Sequence, residues 1–170
     1  MNDKERLALA ERQLDRTQLF FPRVDSKATG LFAVAAGELA LLLINVKYGD
    51  LKIWYVAIPV ALTVLLLLWV FACLHRCAHP ETRGGAGSLV YFQEIAARTE
   101  TNYVKEYLAG TEESLAADFA GQTWRNSEIL THKFDYVKKA SVALAWSLLP
   151  FFLALLALSL LHSQLPQVKS

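Results

Sequence analysis

The stretch that decides the fold is residues 53–74, IWYVAIPVALTVLLLLWVFACL, in which no acidic or basic residue occurs. A helix needs roughly 20 apolar residues to cross a hydrocarbon core about 30 Å thick, and this stretch has that length. A helix at the surface of a soluble domain would also carry a polar stripe at a period of 3.6 residues. Because no such stripe is present, residues 53–74 predict a transmembrane helix.

Two further blocks share this composition. Residues 140–161 hold no charged side chain, and residues 28–46 hold only Glu38. The hydrophobic content of the whole chain is 54%, which exceeds the apolar share of most soluble domains, and the excess falls in these blocks. The sequence therefore predicts an all-α integral membrane protein with three transmembrane helices, the first two forming a transmembrane hairpin over residues 28–74.

The basic residues predict how the chain is oriented. Six Lys or Arg precede the first span, two lie in the loop between the first and second spans, eight lie between the second and third, and one follows the third. Positive residues concentrate on the cytosolic side of a membrane. We therefore expect a cytosolic amphipathic helix at 1–27, a cytosolic helical sensor region at 75–139 and an external tail at 162–170.

Turn and cap residues divide the sensor region. Ser88 follows a Gly-rich loop at 78–87 and is expected to cap a helix that runs to about Leu108. Gly110 ends that helix, and Thr111 begins another. Since neither Gly nor Pro occurs from Gln122 to Leu149, the second helix is expected to continue into the third span.

Glu38 lies near the middle of the first span, where an ionisable group costs several kcal/mol unless it is neutralised or partnered. Three roles remain open for this carboxyl. It can hold helices together by hydrogen bonding, it can line or gate a pore with Asn45, or it can relay protons.

No catalytic or metal site is expected. The chain has no nucleophile elbow, no His-Glu-x-x-His helix and no phosphate loop, so we predict that it is not an enzyme. Cys73, His75, Cys77 and His79 alternate, but on a helix this spacing places the two Cys and the two His on different faces. A net charge of +1 gives no basic field for nucleic acid.

The sensor region carries the side chains that a small planar anion needs. Tyr91 and Phe92 offer faces for stacking, Gln122 and Asn126 offer amides for a base edge, and Lys133 offers positive charge. Gln122 and Asn126 also fall on the apolar stripe of their helix, where Leu would be expected. The alternative for each aromatic is ordinary packing in the core.

Three segments, taken in order, resemble the transmembrane Pycsar effectors, a family of bacterial antiphage proteins. Residues 24–30, VDSKATG, resemble the Asp-x-Lys-Ala signature of that family through Asp25 and Lys27. Residues 88–96, SLVYFQEIA, resemble the segment after its second span. Residues that resemble its helix leading into the last span are Asp118 through Gln122, Ser127 and Lys133.

The resemblance implies a function. A partner pyrimidine nucleotide cyclase makes cyclic UMP or cyclic CMP during phage infection. The effector binds that nucleotide without any cofactor, assembles as a homo-oligomer and impairs the bacterial inner membrane, which causes abortive infection. Lys27 then either meets the cyclic phosphate or only snorkels to the membrane surface.

Two other functions remain open at this point. One is an ion channel or transporter subunit of ordinary physiology, with Glu38 as a conducting group. The other is a membrane scaffold that holds a soluble partner through the helix at 1–27. The resemblance also leaves open whether uracil or cytosine is preferred, how many subunits assemble, where the ligand lies and whether the membrane is permeabilised or reorganised.

Overall fold

The computed structural model describes residues 2–79 and 85–163, and in this part of the chain 88% of the residues are helical and none lies in a strand. The predicted all-α class is therefore confirmed. Parts of the loop expected at 78–87 and of the tail expected at 162–170 lie outside the described residues. The helices are α1 Asp3–Gln18, α2 Phe20–Asn45, α3 Trp54–Ala78, α4 Phe92–Ala97, α5 Glu100–Ala109 and α6 Glu112–Ser163, with a turn of 3-10 helix at Asp50–Lys52.

Three helical stretches are long and apolar enough to cross a membrane. They are Asp3–Asn45, Trp54–Ala78 and Glu112–Ser163. The three predicted transmembrane helices are confirmed by this finding. The prediction that the helix after Thr111 continues into the third span is also correct, because α6 is one uninterrupted helix.

The chain divides into two compact units. Among the described residues, the first unit, here called the polar unit, comprises 2–24 and 85–133, and the second, here called the apolar unit, comprises 25–79 and 134–163. Helices α2 and α6 each contribute residues to both units.

The apolar unit is held by two clusters of buried side chains from its three long helices. One cluster contains Ala35, Leu67, Val70, Cys73, Leu74, Ala140, Ala143 and Leu144. The other contains Leu42, Val56, Val60, Phe151, Ala154 and Leu158. Alanine recurs in both clusters because small side chains let helices approach closely, and close packing is what drives helix association in lipid.

Two helices replace the single helix that was expected from Ser88 to about Leu108. Helix α4 ends before Arg98, whose backbone is extended, and Thr99 caps α5 by accepting a hydrogen bond from the amide of Asn102. A Thr at this position competes with helix continuation, since its hydroxyl satisfies an amide of the following turn. The expectation of one helix was wrong because Thr99 was not recognised as a cap.

Helices α1 and α6 of the polar unit begin with side-chain caps. Asn2 and Glu5 form a capping box at the start of α1, each side chain bonding the other residue's amide. Thr111 and Ser114 exchange similar hydrogen bonds at the start of α6. The predicted start of the last helix at Thr111 is therefore confirmed.

Candidate functional site

The polar unit is organised around the hydroxyl of Ser88. This oxygen accepts hydrogen bonds from the amides of Val90 at 3.1 Å and Tyr91 at 2.9 Å, and from Nε2 of Gln122 at 2.9 Å. Ser88 and Gln122 are both buried. One hydroxyl thus shapes residues 85–91, here called the Ser88 loop, and fastens the loop to α6.

Two charged residues restrain the Ser88 loop further, and one of them, Asp118, lies on α6. Oδ2 of Asp118, one helical turn before Gln122, accepts a 2.7 Å hydrogen bond from the amide of Leu89. Nη1 of Arg98 donates to the carbonyl oxygens of Ser88 and Glu94, at 2.9 Å and 2.7 Å. Hydrogen bonds that involve an ionised partner are stronger than neutral ones, so both contacts restrain the loop.

Gly85 allows the closest approach in the Ser88 loop. Its φ is +86°, a conformation that residues with a side chain rarely adopt. A Cβ at this position would lie 2.8 Å from Cδ1 of Tyr91 and 3.0 Å from Nε2 of Gln122. The two side chains predicted to stack on a base and to read its edge therefore meet at the same place.

Phe92 lies next to this point. It is 65% exposed, and its ring centroid is 5.0 Å from that of Tyr91 in an edge-on arrangement. The structure brings Tyr91, Phe92 and Gln122 together, whereas the sequence had placed them only in the same region. Their role in binding a ligand stays a prediction.

Arg125 and Asn126 lie on α6 one turn after Gln122 and are half-buried. Nε of Arg125 is buried, and no residue in the described part of the chain accepts a hydrogen bond from it. A guanidinium nitrogen held away from water without an acceptor is unfavourable, and a phosphate oxygen would satisfy it. Arg125 is therefore the residue of this face best suited to an anion.

The remaining predicted residues of the polar unit have other surroundings. Lys133 is buried with Nζ 5.7 Å from the ring centroid of Phe21, and it lies about 16 Å along the helix from Gln122. The hydroxyl of Ser127 is exposed and donates to the carbonyl of Thr123 in its own helix. Neither residue joins the cluster around Ser88.

Asp25 and Lys27 belong to the apolar unit. Both are exposed, and Nζ of Lys27 lies 5.7 Å from the ring centroid of Phe134. A cation over an aromatic face gains roughly 0.5–1 kcal/mol at an exposed site. This contact gives Lys27 a structural partner, while a role in meeting a phosphate stays a prediction.

Glu38 is buried within the apolar unit and is only 5% exposed. Its Oε2 lies at a hydrogen-bonding distance of 3.0 Å from the hydroxyl of Ser147 on α6, and the same hydroxyl lies 2.8 Å from the carbonyl of Leu144. Its Oε1 is buried as well, and within residues 2–79 and 85–163 nothing donates to it. The carboxyl thus links α2 to α6 through one oxygen and leaves the other without a donor.

Asn45 lies two turns after Glu38 on α2 and is exposed. Its Nδ2 donates to the carbonyl of Leu41 in the same helix at 2.8 Å. Close by in sequence, buried Asp50 accepts a hydrogen bond from the amide of Lys47, and its Oδ2 lies 3.3 Å from Nε2 of His162. The Asp50 and His162 pair was not expected, because it joins residues far apart in the sequence.

The polar unit also has a groove on a different face of α6. It has a volume of about 520 Å³ and lies between α1 and the first turns of α6. Alanine side chains form much of its lining, and Arg6, Gln13, Glu113 and Thr123 supply the polar part. Sequence analysis had missed this groove, although the 3- and 4-residue spacing of Ala116, Ala117 and Ala120 could have indicated it.

These observations define a class: a membrane protein of three apolar helices whose chain also forms a polar helical unit with clustered aromatic and amide side chains. Residues 9–161 match the family model described as the Pycsar effector protein domain, and the chain belongs to that family. It is accordingly an antiphage defence effector, and its family is not a known enzyme family. No curated protein and no solved structure gives a significant match.

Proposed function

We propose that this effector binds cyclic UMP or cyclic CMP made by a partner cyclase, assembles into a homo-oligomer and impairs the inner membrane, so that infection is aborted. The polar unit then lies in the cytosol, where the nucleotide is made. The observation that carries this proposal is that Tyr91 and Gln122 meet beside Gly85, and that Gln122 lies on α6, the helix that continues into an apolar span.

The chemistry of this cluster suits a cyclic pyrimidine nucleotide. Phe92 and Tyr91 provide aromatic faces for a pyrimidine ring, and the amides of Gln122 and Asn126 provide a donor and an acceptor each for its edge. Arg125 provides the cation for the cyclic phosphate.

Binding at this cluster changes the hydrogen bonds that hold the Ser88 loop. A base that engages the Gln122 amide competes with the hydroxyl of Ser88, which now receives the Nε2 bond. Differential binding of this kind is what shifts a protein between two states. The ligand therefore favours a state in which the Ser88 loop and α6 are rearranged.

The membrane step involves Glu38. Its carboxyl is packed between α2 and α6 and contacts Ser147, so a pore lined by Glu38 requires these helices to separate. This supports gating over constant conduction. The rival function is a constitutive channel. One observation favours it: Oε1 of Glu38 receives no hydrogen bond from the described residues, and such an oxygen would suit a passing cation.

Growth of cells that carry the effector with or without a pyrimidine cyclase tests the proposal. We expect arrest only when both genes are expressed, and no arrest when an adenylate cyclase replaces the pyrimidine enzyme. Arrest without any cyclase would instead support the constitutive channel, and absence of arrest under every condition would contradict the proposal.

A pair of variants connects this growth effect to the cluster. Arg125→Gln should abolish the arrest, because the cyclic phosphate loses its cation. Lys138→Gln, which removes an exposed cation from the same helix, is the matched control and should leave the arrest unchanged. Equal behaviour of the two variants would remove Arg125 from the binding site.

A further inference from the structure

The polar unit leaves a second apolar surface uncovered, on helix α5. Val104, Tyr107 and Leu108 are 45%, 46% and 78% exposed and recur at the 3- and 4-residue spacing of one helix face. On other faces of α5, Glu106 accepts a hydrogen bond from Arg98 and the hydroxyl of Tyr103 donates to the carbonyl of Leu89. The side chains of Val104, Tyr107 and Leu108 form a surface, here called the α5 stripe, in which the Tyr107 ring lies 5.9 Å from the ring of Tyr103 of the same helix and Leu108 is the most exposed.

We propose that the α5 stripe of one copy docks into the groove between α1 and α6 of a second copy. Both surfaces belong to the polar unit, and they are different surfaces, so the contact is heterologous and every copy offers one of each. This inference rests on the assembly step of the proposed function and names the surfaces that make it.

The groove is long enough to hold the whole of α5. Helix α5 has 10 residues, which corresponds to about 15 Å. The side of the groove formed by α6 runs from Glu113 to Thr123, also about 15 Å. Because Ala116, Ala117 and Ala120 form the floor there, the backbone of a docked helix can approach closely while its larger side chains fill the 520 Å³ volume.

The two surfaces also match in charge. The polar lining of the groove offers one cation, Arg6, and one anion, Glu113. Beside the α5 stripe the helix offers one anion, Glu100, and one cation, Lys105, both exposed. An apolar centre with opposite charges at its edge is the usual composition of a specific interface. This complementarity favours a second copy over the membrane surface as the partner of α5.

Two surface substitutions, each on one side of the contact, test the proposal. Leu108→Asp places a charge in the α5 stripe, and Ala117→Trp fills the groove. Each variant alone should be monomeric. An equal mixture should form dimers and nothing larger, because one copy keeps an intact groove and the other keeps an intact α5 stripe.

The measurement is particle mass in nanodiscs without nucleotide, with cyclic UMP and with cyclic CMP. Wild-type protein should form assemblies larger than a monomer in at least one of these conditions. Glu11→Trp and Asn102→Asp, on exposed faces of α1 and α5 away from the contact, are the matched controls and should assemble as the wild type does. The circular dichroism of all four variants should match the wild type, since every changed side chain is exposed.

Several outcomes overturn the proposal. These are wild-type protein that stays monomeric in all three conditions, single variants that still assemble, and a mixture that stays monomeric. The assay measures particle mass and not toxicity. If the mixed variants stay monomeric while nucleotide-dependent growth arrest is intact, this interface alone is refuted. Loss of growth arrest with normal mixing refutes the proposed function instead.

Cysteine cross-linking locates the contact directly. The native Cys73 and Cys77 are buried in the apolar unit and are first replaced by alanine. Copies with Leu108→Cys and copies with Ala117→Cys should then cross-link when mixed, while Glu11→Cys in place of Ala117→Cys should not. If no cross-link forms and a lipid-phase quencher reaches a fluorophore at position 108, the membrane covers α5 and the proposal is wrong.

Discussion

Replacement of Ser88 by alanine should release the Ser88 loop from α6 without unfolding the rest of the protein. The substitution removes one acceptor and leaves three donors without it: the amides of Val90 and Tyr91, and Nε2 of Gln122. A buried donor that loses its partner costs about 1–3 kcal/mol, which applies in full to Gln122. The two amides are in a half-buried segment and regain water, so they add about 0.5 kcal/mol each.

Ser88→Ala should therefore lower the free energy of local opening of residues 85–91 by about 2–4 kcal/mol. Since each 1.4 kcal/mol is a factor of ten, amides of this loop should exchange with deuterium at least about 30-fold faster. Hydrogen exchange followed by mass spectrometry measures this change. Amides in α3 serve as an internal reference, because they lie in the apolar unit.

Two further variants make this test specific. Ser127→Ala is the matched control, because that hydroxyl is exposed and bonds only within its own helix. The double variant Ser88→Ala with Gln122→Met should recover more than about 1 kcal/mol of the loss, since it removes both partners of the buried hydrogen bond. Unchanged exchange in Ser88→Ala, or equal effects of Ser88→Ala and Ser127→Ala, would refute the assigned role of Ser88.

Three other predictions concern single contacts. Gly85→Ala should destabilise the Ser88 loop by about 1–3 kcal/mol more than Gly87→Ala in the same exchange assay. Both glycines have positive φ, but only a Cβ at position 85 would clash, and it would clash with Tyr91. Equal effects of the two substitutions would contradict this prediction. Ser147→Ala should lower the free energy of unfolding in detergent by about 1–3 kcal/mol, since buried Glu38 loses its hydrogen-bond partner, whereas Ser163→Ala, an exposed serine that bonds only to its own helix, should have little effect. Glu38→Leu should be as stable as the wild type or more so while it abolishes growth arrest, and undiminished arrest would remove Glu38 from the mechanism.

The membrane helices could be predicted because the information is local. An uncharged run such as residues 53–74 specifies a span by composition and length alone, without knowledge of its partners. The long helix α6 could be predicted for a similar reason, since no helix-breaking residue occurs between Gln122 and Leu149. The interruption at Thr99 was missed because a single capping hydroxyl competes closely with helix propensity.

The polar contacts could be predicted only in part. Gln122 was singled out because an amide occupied an apolar stripe, and it is indeed buried, but its partner Ser88 lies 34 residues away and no pattern connects the two. The same holds for Glu38 and Ser147, which are 109 residues apart. Contacts between residues so far apart in the sequence depend on how the helices pack, and a single sequence does not show which side chains meet.

The most direct test of the account is equilibrium binding of radiolabelled cyclic UMP and cyclic CMP to the purified protein in nanodiscs. We predict saturable binding of at least one of the two, no displacement by cyclic AMP or cyclic GMP, and loss of binding in Arg125→Gln but not in Lys138→Gln. Absence of saturable binding to both pyrimidine nucleotides, in a sample whose helical content is intact, would contradict the central claim that this effector is switched by a cyclic pyrimidine nucleotide.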